Sequence, residues 1–270
     1  MVKRTARTIL TLALLFATAF VAIPTAQAAV SHRPIVTIGA NQSTNWSGYN
    51  QGALEKRKLF TSITGDWTVP TATQHTARQA AFSSTWIGIG GGCVETSCTV
   101  PDGTLIQEGT EQDVAANGAA TYYAWFELIP APSIKIGGFA VRPGDRIHAS
   151  IQEVVPYSNV WSMKMTDLTT GKSWSQTLPY TSTHATAEWI EETPLVFGTG
   201  GAGISSMPNL SAVNFDLAIV NGKPAGLNPT EEIQLVTSKH AVVATPSPPD
   251  SDADGFNVCT YASSCGAPGS

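Results

Sequence analysis

Ala185-Thr186-Ala187-Glu188-Trp189-Ile190-Glu191-Glu192 is the stretch on which the reading of this chain turns. Successive side chains on a strand point to opposite faces, so Glu188, Ile190 and Glu192 share one side while Ala187, Trp189 and Glu191 share the other. One face of such a strand is packed, and a carboxyl set there among apolar neighbours has its charged form disfavoured. Its pKa then rises toward the range useful for proton transfer. Trp189, opposite Glu188, is expected to fill the core.

Similar runs rich in Val, Ile, Thr and aromatics recur between Gly, Pro, Asn and Asp. They are 63–69, 81–89, 122–129, 146–155, 161–168, 173–178, 187–192, 214–220, 233–237 and 256–261. Strands at this spacing predict an all-β sandwich. The clearest hairpin is Trp161 to Leu178, where Trp161, Met163 and Met165 alternate with Ser162, Lys164 and Thr166 before Thr169-Thr170-Gly171-Lys172 turns the chain back. No segment has the period of an amphipathic helix, and the Pro-rich 245–249 stretch reads as a loop.

The N-terminus is of another kind. Lys3, Arg4 and Arg7 precede an apolar run from Ile9 to Ile23, and Ala26-Gln27-Ala28 supplies small residues for cleavage. Residues 1–28 are therefore expected to be a signal peptide that directs secretion, with 29–44 a short leader or pro-segment, 45–262 the β-sandwich domain and 263–270 a tail. The chain carries −5 overall, and removing a signal with three cations and no acid leaves −8. That balance argues against a nucleic-acid partner, and no run is long enough to span a membrane. Charged residues make up 13% of the chain, against about 25% in an average protein. A surface built on Ser, Thr, Asn and Gly loses little when carboxylates protonate, which suits an acidic medium. Cys93 with Cys98 and Cys259 with Cys265 form two local disulfides in the simplest of three connectivities.

There is no HExxH, no GxSxG, no phosphate-cradling glycine loop and no Cys placed for a partner His. His32, His75, His148, His184 and His240 are scattered and are expected at the surface. Asp250-Ser251-Asp252-Ala253-Asp254-Gly255 looks like half a calcium loop, but Tyr261 stands where a closing carboxylate belongs, so it reads as a solvated acidic turn. No metal and no cofactor are expected.

Three further stretches combine polar groups with aromatics: Trp86-Ile87-Gly88-Ile89-Gly90, Gly103-Thr104-Leu105-Ile106-Gln107-Glu108-Gly109, and Tyr123-Ala124-Trp125-Phe126-Glu127. Together with Asn45-Trp46-Ser47-Gly48 before them, and Ala187-Glu188-Trp189-Ile190 and Asp254-Gly255-Phe256-Asn257-Val258 after them, they resemble the glutamic peptidases, or eqolisins. The resemblance implies a sandwich of two antiparallel sheets of the concanavalin-like or jelly-roll type, with a concave face that binds peptide. It implies a catalytic pair, Glu188 and Gln107, with Trp46, Trp86, Glu111, Trp125 and Glu127 as substrate-binding residues. The fungal members have an Asp where this chain has Gly90, and another acid where it has Tyr123.

These residue types suit amide hydrolysis. A Glu188 carboxylate can take a proton from water and return it to the departing nitrogen. The Gln107 amide can donate to the developing oxyanion while remaining uncharged at any pH. The expectation is a secreted, monomeric acid endopeptidase acting on polypeptides. Two alternatives stand beside it. One is a carbohydrate-binding or glycoside-hydrolysing sandwich using Glu127 and Glu188 as its acid pair, and the other is an inactive protein that keeps the peptidase fold.

Overall fold

A computed structural model describes residues 29–198 and 201–269. The expected signal peptide lies outside the described residues. The architecture is the anticipated sandwich of two antiparallel sheets.

In the first sheet the strand order is Ile134–Lys135, Ala120–Leu128, Leu105–Val114, Ala81–Gly90, Thr186–Glu192, Trp46–Gly52 and Glu232–Val236. In the second it is Lys172–Pro179, Val160–Asp167, Arg146–Glu153, Ser62–Thr68, Val213–Val220, Phe256–Thr260 and Val242–Pro246. Glu232–Val236 also pairs with Val242–Pro246 and so joins the two sheets at one side. The short Gln42–Ser43 strand runs parallel to it.

Alternation explains the core. Tyr49, Ile87, Ile89, Ile106, Ala124, Phe126, Ala187 and Trp189 point inward from the first sheet onto Ile63, Trp67, Ile147, Ile151, Trp161, Met163, Met165 and Phe215 of the second. Trp189 is fully buried and donates its indole N–H to the Thr64 carbonyl at 2.8 Å, as its position opposite Glu188 predicts. The Trp161 hairpin has Trp161 opposite Leu178, and Gly171, at φ 74°, supplies the left-handed residue of its turn.

Two strands are not legible as such in the sequence. Trp46–Gly52 and Leu105–Val114 are both buried from end to end although they are largely polar or glycine-containing. The 245–249 stretch expected as a loop begins inside a strand, because Thr245 and Pro246 pair with Cys259 and Val258. Cys93 is bonded to Cys98 and Cys259 to Cys265, the local pattern. Residues 29–44 carry the short strands Ala29–Ser31, Thr37–Gly39 and Gln42–Ser43. The first of these pairs with Leu195–Gly198. No helix among the described residues is long and apolar enough to cross a membrane.

Candidate active site

The outward face of the first sheet carries three rows of side chains, each running across five strands. The first is Asn50, Glu188, Gly88, Gln107, Glu127. The second is Gly48, Ile190, Trp86, Gly109, Trp125, and the third is Trp46, Glu192, Ser84, Glu111, Tyr123. All seven residues singled out in the sequence therefore lie on one face. This follows from pairing: register brings residues of distant sequence opposite one another, and the period of two keeps each strand's set on the same side.

Glu188 and Gln107 both sit opposite Gly88. Two strand spacings separate their backbones by about 10 Å, and the residue between them has no side chain to fill the gap. Both are fully buried. The Gln107 amide donates to Glu127 Oε2 at 3.3 Å, while its own oxygen and both oxygens of Glu188 have no hydrogen-bond partner among the described residues.

The surroundings of Glu188 are built for close approach. A Cβ on Gly92 would collide with Asn50 Oδ1 and fall 2.6 Å from Glu188 Oε1, so only glycine lets the 91–93 backbone lie against the carboxyl. Asn50 fixes that backbone from both ends, donating to the Cys93 carbonyl at 2.8 Å and accepting from the Cys93 N–H at 3.0 Å. Burial pushes the Glu188 carboxyl well above the usual range. The nearby Thr186 hydroxyl and Gly92 N–H pull it back in part, and the negative charge of Asp102 adds to the rise. The Gly92 N–H itself donates to the Thr186 hydroxyl at 3.1 Å.

Tryptophans wall the second and third rows. Trp46 meets Trp86 edge-on with centroids 4.9 Å apart. Trp86 donates to Glu192 Oε2 at 2.9 Å, and Trp125 donates to Ser84 Oγ at 2.8 Å, so each indole orientation is fixed by a polar neighbour on the same face.

His32, expected at the surface, is buried in this site instead. Its ring lies flat on Trp125, with centroids 3.6 Å apart and planes 5° from parallel. Nδ1 meets Glu127 Oε2 at 3.1 Å and Nε2 meets Glu111 Oε2 at 3.0 Å. Burial opposes a charged imidazole, but the hydrogen bond and charge of Glu111, the bond to Glu127 and the charge of Glu192 outweigh it and push the pKa up to about 10. The imidazolium thus donates from both nitrogens. The same segment continues along the face: the His32 N–H donates to Glu127, the Arg33 N–H to Glu192 and the Ile35 N–H to the Gly91 carbonyl. His184 is also buried rather than at the surface, with Nε2 3.1 Å from Glu153 Oε2. In both cases carboxylates remote in sequence make burial possible, and nothing beside the histidine signals them.

Asn50, Gly92, Asp102 and His32 escape sequence reasoning. Asn50 alone has a local signal, since it alternates in phase with Trp46 and Gly48.

Gly90 and Tyr123, where the resemblance implies acids, have a structural setting of their own. Gly90 has φ 92°, and a Cβ there would run into the Thr104 carbonyl. The Tyr123 ring lies under Lys135, with Nζ 4.7 Å from its centroid.

The chain is similar in sequence and fold to known proteins. Aspergillopepsin-2 of Aspergillus niger is 24% identical over 177 residues, covering 58% of this chain. The chain correspondingly spans 58% of the length of that relative. Scytalido-glutamic peptidase, solved with a transition state analog inhibitor, superposes with a TM-score of 0.61 at 20% identity, covering 80% of this chain and 98% of the other. Aspergilloglutamic peptidase from Aspergillus niger superposes with a TM-score of 0.52 at 21% identity, over 67% of this chain and 99% of its own. The model of the Peptidase A4 family matches residues 44–254. With its motifs on one face of the sandwich and that match across most of its length, the chain belongs to the Peptidase A4 family, the glutamic peptidases.

Proposed function

We propose that this chain is a secreted endopeptidase that hydrolyses peptide bonds at acidic pH, with Glu188 as general base and then general acid, and Gln107 as oxyanion donor. The observation that carries the reading is the row Glu188, Gly88, Gln107, in which a carboxyl and a neutral amide face the same gap with three polar atoms unpartnered by the described residues. An attacking water is what such acceptor oxygens would satisfy, and the Gln107 NH2, which gives one of its two N–H groups to Glu127, has the other to donate to a peptide carbonyl. Burial is the largest cause of the raised Glu188 pKa. In the closed site that burial favours the protonated carboxyl. Water admitted with the substrate lowers the penalty on the charged form and supplies the carboxylate that the base step needs, and the proton it then takes passes to the departing nitrogen.

The leader reading joins this proposal. Residues 31–35 lie along the face that a peptide would use, with His32 in contact with Trp125, Glu111 and Glu127. Displacement or removal of this segment is then a condition of turnover. The expected N-terminal signal would direct the enzyme out of the cell, where two disulfides persist. Polypeptides are the proposed partners, and the monomer the proposed state.

A glycosidase pair is disfavoured by spacing. Glu127 and Glu188 stand three strand spacings apart, about 14 Å of backbone, whereas paired glycosidase carboxyls lie about 5–9.5 Å apart. The test is incubation of the purified protein, with and without residues 29–44, with denatured globular substrate from mildly to strongly acid pH. Fragments from the native enzyme and none from Glu188→Gln support the mechanism; cleavage that persists in that variant removes it.

A further inference from the structure

The acidic turn near the C-terminus is more than a solvated loop. Asp250 Oδ1 accepts the N–H groups of Asp254 and Gly255 at 3.2 and 3.1 Å, and the Asp250 N–H donates to the Gly255 carbonyl at 2.9 Å. Ala253, at φ 61°, completes the tight curl. These bonds fix the direction of the Asp250 side chain and the backbone from which Asp254 projects.

A third carboxylate arrives from far away in sequence. Phe215 pairs with Phe256, which sets Asp216 beside the turn, and the register of the Asp216 strand shifts just beyond it, where Leu217 has φ 52°. The Ala218 N–H donates to the Asp254 carbonyl at 2.9 Å and ties the bulge to the turn. One carboxylate oxygen from each of Asp216, Asp250 and Asp254 lies within 4.8 Å of the others.

Two features separate this cluster from ordinary surface acids. Asp254 is only 9% exposed, and its Oδ1 has no hydrogen-bond partner among the described residues. The ion pairs among the described residues leave all three acids uncompensated. Folding has therefore gathered negative charge that a cation would offset.

We infer that Asp216, Asp250 and Asp254 bind one calcium ion, which clips the 213–220 strand to the closing turn. Carboxylate oxygens are hard donors suited to calcium or magnesium. Calcium–oxygen distances of about 2.3–2.6 Å allow ligands on opposite sides of the ion to stand about 4.6–5.2 Å apart, whereas magnesium allows only about 4.2 Å. The three oxygens lie within 4.8 Å of one another, which a calcium ion can span, and three carboxylates from one chain suit calcium better than magnesium, which usually takes one or two and keeps its water. Backbone carbonyls and water complete a calcium shell in sites of this kind. The cluster lies on the second sheet, so it stands or falls independently of the peptidase reading.

The experiment uses the full chain after export, stripped with chelator and titrated at neutral pH with calcium chloride or magnesium chloride while heat and thermal unfolding are followed. The expected result is saturable uptake of one calcium per chain, with magnesium weaker. Calcium at a hundredfold excess over Kd should raise Tm by about 5–10 °C. Asp216→Asn and Asp254→Asn should each lose the calcium response. In chelator both should melt no lower than the native protein, because each removes one of the mutually repelling charges. Absence of saturable calcium uptake by the native chain, or uptake undiminished in both variants, would overturn the site.

Discussion

Glu188 and Gln107 face each other across Gly88, in one row and on the same side of one sheet. The missing side chain between them is a structural requirement, since a Cβ on Gly88 would lie 2.9 Å from the Trp86 ring and 3.0 Å from Leu105. A shared gap between an ionisable group and a neutral donor defines what the two can do together.

Replacing Glu188 with Gln keeps shape and removes the proton relay. Because burial already favours the neutral carboxyl, the variant should melt within a few degrees of the native protein. Its cleavage rate should fall by about 10²–10⁴, the range that general acid–base catalysis supplies. Fragment release and thermal melts on the same preparation check both halves.

Gln107→Ala removes the proposed oxyanion donor. The loss expected in kcat is about 10²–10³, or about 2.7–4 kcal/mol. KM should change much less, because the donor acts chiefly on charge that develops in the transition state. Steady-state kinetics on a fluorogenic peptide separate the two parameters.

His32→Ala, made in the chain that still carries residues 29–44, loses a ring stack and two charge-assisted bonds. Each such bond is worth about 1.5–3 kcal/mol, so the segment should release at least tenfold more readily and early cleavage should accelerate. The same substitution cannot affect a chain that begins at residue 45. Equal rates for the native and the His32→Ala forms of the longer chain would show that the segment does not restrain the site.

Stability should fall as pH rises. Glu108, Glu191 and Glu192 are buried, and burial pushes each to about 8 in the folded protein from an ordinary value of 4.5. A carboxyl whose folded pKa is raised holds its proton in the native state at pH values where the unfolded chain has released it. Its contribution is complete below about 4.5 and is lost as pH climbs through about 8. His32, raised from 6.5 to about 10, acts in the same direction over a higher window. Tm measured from acid to mildly alkaline pH should therefore be highest on the acid side and decline between about 4.5 and 8.

Gly90→Asp would introduce the acid that the resemblance implies at this position, yet it should destabilise this chain. The left-handed φ of 92° costs about 1–3 kcal/mol for a side-chain-bearing residue, and the new Cβ meets the Thr104 carbonyl. A lowered Tm without gain in activity is expected from melts and peptide assays.

Alternation in Ala187–Glu192 is enough to place Glu188 and Trp189 on opposite faces, because side-chain direction on a strand follows from local geometry alone. The Trp161 hairpin and the two short disulfide loops are legible for the same reason: their partners are close in sequence. Leu105–Val114 is not legible as a strand, since Gln107, Glu108, Glu111, Gln112 and Asp113 give it the composition of a loop. Its burial depends on neighbours on both sides, with Ala81–Gly90 and Ala120–Leu128 satisfying its backbone.

Local pattern is enough to give the motifs and the face of each side chain in the legible strands. Which residues stand in one row, the entry of His32 into the site, and the meeting of Asp216 with Asp250 and Asp254 come from the folded sandwich alone. The reason is register: pairing between distant strands is fixed by the packing of the whole sandwich, and no local pattern of polar and apolar residues specifies the partner across the sheet.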